Sequence, residues 1–328
     1  MTLTRRTFTT LTGAAGLSTL CGAGLAQAPS GAQVDELSGR AFGTTWRVVL
    51  PAGADLHAIR PEITAILNEV DRQMSPWRGD SEISRFNRAA PGQYRLPSET
   101  LLVTRSALRI ARMSGGAFDP TVGPLVARWG FGVIEGDSHP DWTSLMVSET
   151  SLAKTHAGCT LDLCGIAKGF ALDRLAQRFR ADGIDNFLVD IGGELLAAGR
   201  HPAGRPWRSG IEDPRPGTGG FAGVVELPDL TIATSGLRWN AVRFSDRSWS
   251  HIIEPSARRP VGDTLASVSV IATTAMMADG WATALMAAGP RRGPDLAREH
   301  GISALFLIPQ GGALRRVSTG AFDAHVLT

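Results

Sequence analysis

The chain lacks the usual signatures that would place a 328-residue protein quickly. It has three cysteines and one tyrosine, and its formal net charge is only +2. No dense Lys/Arg run is interleaved with aromatics, so nothing suggests a nucleic-acid surface. No G-x-G-x-x-G follows a strand-like run and no G-x-x-x-x-G-K-[ST] occurs, which disfavours Rossmann and P-loop nucleotide sites. No stretch reaches the roughly 20 apolar residues that a membrane span needs. There is no internal repeat and no low-complexity segment.

Hydrophobic residues make up 43% of the chain, an ordinary share for a globular protein with a sizeable core. The length fits two domains or one large domain with a subdomain. At the N-terminus, Thr4-Arg5-Arg6-Thr7-Phe8 precedes a weakly apolar stretch from Leu11 to Ala26. That layout reads as a twin-arginine signal peptide over residues 1–28, with export to the periplasm. Ala26-Gln27-Ala28 and Gly24-Leu25-Ala26 are the alternative cleavage sites. Cys21 follows Leu20, where a lipoprotein signal wants a small residue, so a lipid anchor is disfavoured. Cys159 and Cys164 remain after cleavage and read as two small buried thiols. An oxidising compartment would permit a disulfide between them, although the short spacing does not guarantee the geometry.

Periodicity supplies the elements. Gly31 to Ser38 reads as a linker and Phe42 to Leu50 as a first strand. Ile59 to Met74 is an amphipathic helix with Pro61 in its first turn. Pro97 to Met113 is a second helix with Leu101, Leu102, Leu108 and Ile110 inward, stopped by Gly115-Gly116. Leu161 to Leu163 is a short strand before a helix from Ala167 to Arg180. Asn186 to Ile191 is a buried strand, and Arg200 to Gly220 an irregular excursion. Strands follow at Gly223–Leu227, Thr231–Thr234, Ala241–Phe244 and Ser267–Ile271. An Ala/Met-rich helix from Met276 to Ala288 and two strands, Ala304–Ile308 and Ala313–Ser318, complete the order. Strands and helices mix without βαβ alternation, which argues for an α+β fold with mixed or antiparallel sheets.

Five segments have residues suited to chemistry. Asp279 and Thr283 stand four apart in an otherwise apolar helix, where an unpaired charge is costly. A carboxylate and a hydroxyl on one face suit a hard cation such as magnesium. Asp162 precedes a glycine turn at Gly165 and a helix start carrying Lys168, a place that favours anions. His251 lies two residues before Ile253 and three before Glu254, a candidate acid/base or phosphate contact. Trp77 falls in a polar turn rather than a core run and could stack on a flat ring. Gly115 to Pro124 is a Gly/Pro-rich loop of the kind that holds ligands through main-chain groups.

In their order along the chain these segments resemble the ApbE-type FAD:protein FMN transferases. Phe42-Gly43-Thr44-Thr45, Met74 to Asn87, Gly116 to Gly132, Leu161 to Gly169, Val189 to Glu194, Ala233 to Gly236, His251 to Pro255 and Ala278 to Gly289 match that family's motifs in sequence and spacing. The resemblance implies a two-lobed fold over residues 29–328, with interleaved lobes and the ligand cleft between them. It implies Mg2+ held by Asp279, Thr283 and the carbonyls of Gly165 and Ala282. FAD contacts would come from Phe42, Trp77, Ala117, Phe118, Asp119, Asp162, Lys168, His251, Ile252 and Ile253. His251 and Asp279 would be catalytic, and FMN would pass from FAD to a threonine of an acceptor flavoprotein, with AMP released. The family's acceptors carry that threonine in a [DS]-G-[AS]-T motif, which is absent from this chain. Such acceptors include membrane redox subunits and a flavoprotein that supports nitrous oxide reductase. Magnesium-dependent hydrolysis of FAD and non-catalytic FAD binding are the alternatives. The chain departs from the family at Phe42, where Met is frequent, at Trp77 (Tyr), at Cys164 (Gly or Ser) and at Ala282, which is Asp in some members and leaves one carboxylate fewer.

Overall fold

Alternating apolar residues build an eight-stranded sheet. In spatial order its strands are Val34–Ala41, Thr44–Pro51, Phe187–Ile191, Glu194–Ala198, Thr231–Gly236, Ser267–Ala272, Ser303–Gln310 and Ala313–Thr319. Every neighbouring pair is antiparallel. The computed structural model describes residues 33–215, 217–237, 241–244 and 247–327. The expected signal peptide, with Arg5, Arg6 and Cys21, lies outside these residues.

Successive strand side chains point to opposite faces, and here both faces are buried. Val48, Val270 and Phe306 enter the main core, whereas Val49, Ile271 and Leu305, each one position away, enter a second core. The described residues hold six α-helices: α1 (Leu56–Met74), α2 (Glu82–Arg88), α3 (Ser98–Met113), α4 (Gly123–Arg128), α5 (Ala167–Ala181) and α6 (Ala275–Glu299). Ile63 and Leu67 of α1, Leu172 and Phe179 of α5, and Leu285 of α6 share the main core. The second core is closed by a hairpin of Trp207–Glu212 with Phe221–Leu227 and by Phe322. Each such fully buried side chain contributes roughly 1.5–3 kcal/mol over exposure. The architecture is therefore α+β with antiparallel sheets, as periodicity predicts.

Some expectations need correction. Val34–Ala41 is a strand in full register with Thr44–Pro51, not part of a linker. As an edge strand it buries little more than Leu37, so its apolar alternation is faint. Helix α1 starts before Pro61, at Leu56, because Asp55 accepts hydrogen bonds from the His57 and Ala58 N–H groups. Leu102 is exposed, on the outer side of α3. The glycine pair after α3 does form its stop: Gly116 N–H donates to the Ala111 carbonyl and Gly115 N–H to that of Arg112. Leu161–Leu163 pairs with no strand among the described residues. The Asn87 amide takes that role, donating to the Leu161 carbonyl at 2.9 Å and accepting its N–H at 2.7 Å. Trp207–Glu212 is a strand within the expected irregular excursion; its inward Trp207, Ser209 and Ile211 are diluted by surrounding Pro, Gly and Arg. Helix α6 continues past Ala288 to Glu299 through a kink at Gly289, where Pro290 opens the second half. A small sheet of Gly92–Arg95, Ser151–Lys154 and Leu145–Val147, the pairs Ala241–Phe244 with Arg247–Ser250 and Ile253–Glu254 with Arg259–Pro260, and 3-10 turns at Trp142–Ser144 and Phe322–His325 complete the described elements.

Candidate active site

The site is organised by the crossing of α5 and α6. Neither helix is capped by its own N-cap side chain. Each supplies the other's cap instead. Asp173 of α5 accepts the Ala275 and Met276 N–H groups at the start of α6, at 2.8 and 2.9 Å. Asp279 of α6 accepts the Gly169 N–H in the first turn of α5, at 3.0 Å. Free N–H groups and the helix dipole favour a carboxylate at both places. The approach is so close that a β-carbon on Gly169 would collide with the Ala275 carbonyl oxygen, so only glycine fits there. The Asp279 carboxylate is thus pinned through Oδ2, and its Oδ1 faces Lys168 Nζ at 3.5 Å.

Lys168 is shared with a second acid. Its Nζ lies 3.1 Å from Glu194 Oε1. Glu194 is only 5% exposed, and its Oε2 has no hydrogen-bond partner among the described residues. Burial works against the Lys168 ammonium, yet Asp279 and Glu194 together raise its pKa above the ordinary lysine value. Burial pushes the Glu194 carboxyl upward, with Lys168 opposing. Beside this group, the Thr283 hydroxyl stands 3.4 Å from the Gly165 carbonyl oxygen.

Two hairpin turns border the same cleft. Gly192 and Gly193 (φ 64° and 102°) join Phe187–Ile191 to the strand that begins with Glu194. Phe42 and Gly43 (φ 52° and 74°) join the first two strands. Two positive φ angles in a two-residue loop match the right-handed twist of the strands. For Phe42 that backbone is uncommon and is the kind of strain that clusters at functional sites. The cleft has a volume of about 1720 Å3. Phe42, Trp77, Phe131, Val133 and Phe221 stand on its wall, with Trp77 64% and Phe221 66% exposed.

This geometry has close counterparts among known proteins. The sequence model of the ApbE family matches residues 42–306. The chain belongs to the ApbE family. A FAD:protein FMN transferase of Vibrio cholerae is 34% identical over 308 residues, 87% of this chain and 91% of the relative. One from Klebsiella pneumoniae is 32% identical over 322 residues, 92% of each chain. Among solved structures, the flavin transferase ApbE from Vibrio cholerae has a TM-score of 0.80 at 34% identity, covering 89% of this chain and all of that one. The apo flavinyl transferase ApbE from Pseudomonas stutzeri has a TM-score of 0.79 at 34% identity, covering 89% and 96%.

Within this ApbE chain, Phe42, Trp77, Ala117, Phe118, Asp119, Asp162, Lys168, His251, Ile252 and Ile253 all line the one cleft, as do Gly165, Asp279 and Thr283. Ala282 does not: its methyl is buried in the main core, so only its carbonyl could serve a ligand. Asp119 and Asp162 are partly committed to their own loops. Asp119 Oδ1 accepts the Thr121 N–H and hydroxyl, and Asp162 Oδ1 accepts the Cys164 N–H. Burial raises both carboxyls above their ordinary range. His251 is half-buried on a backbone held at either end: Ser250 Oγ accepts the Ile252 N–H, and the Ile252 carbonyl accepts the Val261 N–H. Cys159 is buried as expected, but Cys164 faces the cleft, and both thiols are free. Glu194 is the residue missed as a site candidate. Its signal is an acid directly after Gly192-Gly193 and before the apolar run Leu195–Ala198.

Proposed function

We propose that this chain transfers the FMN portion of FAD to a threonine hydroxyl of an acceptor protein and releases AMP. The observation that carries this reading is the union, in one cleft, of an exposed aromatic wall with a floor of Lys168, Asp279 and Glu194. FAD has the same two-sided chemistry: a flat apolar ring system and a doubly charged pyrophosphate. Trp77 and Phe42 offer stacking surface to the ring, and the rigid strand ends keep it in place.

The floor by itself has two carboxyl groups around one ammonium, a poor bed for a pyrophosphate. A divalent cation resolves the mismatch, and the donors present fit one. Asp279 Oδ1, Thr283 Oγ1 and the Gly165 carbonyl are all oxygens, which suits Mg2+ rather than a soft metal. The Ala282 carbonyl would be the fourth protein ligand on the family pattern. When bound there, Mg2+ would neutralise pyrophosphate charge and stabilise the departing phosphate of AMP. Lys168 supplies further positive charge to that leaving group. The threonine oxygen attacks the phosphorus on the riboflavin side, the bond to the AMP phosphate breaks, and FMN remains as a phosphoester. His251 accepts the hydroxyl proton; it is the one histidine among the described residues that line the cleft. The N-terminal Arg5-Arg6 segment supports action in the periplasm after twin-arginine export. Acceptors there with a [DS]-G-[AS]-T threonine, in membrane redox complexes or nitrous oxide reductase maturation, are the partners this reading selects.

Mass spectrometry of such an acceptor, incubated with this protein, FAD and Mg2+, tests the proposal. A mass gain of one FMN on the threonine is expected. AMP release at full rate without any acceptor, and no gain on any acceptor offered, would instead establish a hydrolase. Asp279→Ala should lose activity more severely at low Mg2+ than at high.

A further inference from the structure

We propose that Glu194 is a positioning residue that draws Lys168 away from Asp279 when the cation binds, so that one lysine alternates between two carboxylates. The inference rests on the cation site described above and goes beyond it in assigning a role to the strand that follows Gly192-Gly193.

Three observations carry it. Asp279 Oδ2 is occupied by the Gly169 N–H, so Oδ1 is the oxygen left for a cation. Lys168 Nζ already stands 3.5 Å from that Oδ1. An ammonium and a divalent cation cannot share one carboxylate oxygen in a low-dielectric floor without strong repulsion. The lysine therefore has to withdraw, and it needs an oxygen acceptor within reach. Glu194 is that acceptor. Its Oε1 already holds Nζ at 3.1 Å, and its Oε2 is buried with no hydrogen-bond partner among the described residues. A buried carboxylate oxygen without a partner is costly. A full turn of Lys168 toward Glu194 satisfies that oxygen and clears Asp279 in one motion. The two positive-φ glycines in front of Glu194 hold it at the start of its strand, facing the crossing of α5 and α6.

The same arrangement gives Lys168 a second use. Once moved, it still faces the cleft, within reach of a phosphate oxygen. Glu194 thereby sets both cation affinity and the position of the lysine charge without itself touching the substrate.

The test is a double-mutant cycle read by Mn2+ binding, with the free ion followed by electron paramagnetic resonance. The proteins are the full mature chain as wild type, Glu194→Gln, Lys168→Met, the double variant and Asp279→Asn, each with FAD present. Glu194→Gln should weaken Mn2+ binding about tenfold, because Lys168 then falls back on Asp279. Adding Lys168→Met should restore the affinity to that of Lys168→Met alone, a rescue that a merely misfolded Glu194→Gln protein could not show. Unchanged Mn2+ affinity in Glu194→Gln, or an equal loss with and without Lys168, would overturn the alternation while leaving the cation site standing. No loss in Asp279→Asn would remove the cation site itself, and the alternation with it.

Discussion

The wall and the floor of the cleft are built on opposite principles. The wall is exposed, apolar and set on turns: Phe42 on a two-residue hairpin loop, Trp77 in the segment between α1 and α2, Phe221 at the start of its strand. The floor is buried, charged and set on rigid helices and a strand start. Exposed aromatic surface costs little to present, and a ring finds stacking area from several directions. A buried charge tolerates no such looseness, because each unpaired carboxylate or ammonium is penalised heavily. Asp279 is therefore bonded to a backbone N–H and faced by a lysine, and the crossing that holds it admits no side chain at Gly169. The wall should set affinity, and the floor should set rate.

The largest expected effect is at the floor. Asp279→Asn keeps an acceptor for the Gly169 N–H but removes the charge, so transfer should fall roughly a thousandfold while the thermal midpoint shifts little. A loss under tenfold would mean that charge at the floor does not drive the reaction. Next is the helix crossing. Gly169→Ala should destabilise the protein by about 3 kcal/mol in urea unfolding, since the added methyl has to push α5 and α6 apart. A neutral result would show that the crossing yields, and that Asp279 is not held by it. At the wall, Trp77→Ala should raise the FAD dissociation constant about tenfold and leave kcat at saturating FAD nearly unchanged, with Trp77→Phe recovering most of the loss. A fall in kcat alone would erase the division between wall and floor.

The smallest effect serves as a control outside the cleft lining. On α1, hydrogen bonds from Arg72 and then Gln73 hold the Glu69 carboxyl down at about 2. A lowered acid pKa contributes stability above the ordinary value of 4.5 and loses it as pH falls through the folded value. The Glu69 side chain is 46% exposed, so the contribution is screened to about 0.5 kcal/mol. Glu69→Gln should lower the thermal midpoint slightly at pH 7, and the gap should close as pH approaches 2, with transfer unaffected.

Much of the site could be read from the chain because its residues are odd for their surroundings. Asp279 and Thr283 interrupt an apolar helix, Trp77 sits among polar residues, and Lys168 follows a glycine turn. Local pattern also located most strands, since antiparallel strands with buried faces keep their period. It failed where local pattern is silent. Val34–Ala41 is an edge strand with little burial, and Leu161–Leu163 is extended without a strand partner because Asn87 bonds it. Glu194 is not legible from local pattern because nothing adjacent in sequence explains its charge; its counter-ion is Lys168, 26 positions earlier, on another element.

The sequence by itself determined the α+β class, the family and the inventory of chemical groups, because these follow from residue types and their spacing. Tertiary structure alone decided what those groups do to one another. It made Asp279 a cap for α5, as Asp173 is for α6, turned Cys164 to the cleft and took the Ala282 side chain out of it. It also placed Lys168 between two acids. The reason is physical: hydrogen bonds and charge pairing act over a few ångströms in space, and the chain brings Gly169 and Asp279 within that range only when α5 and α6 cross.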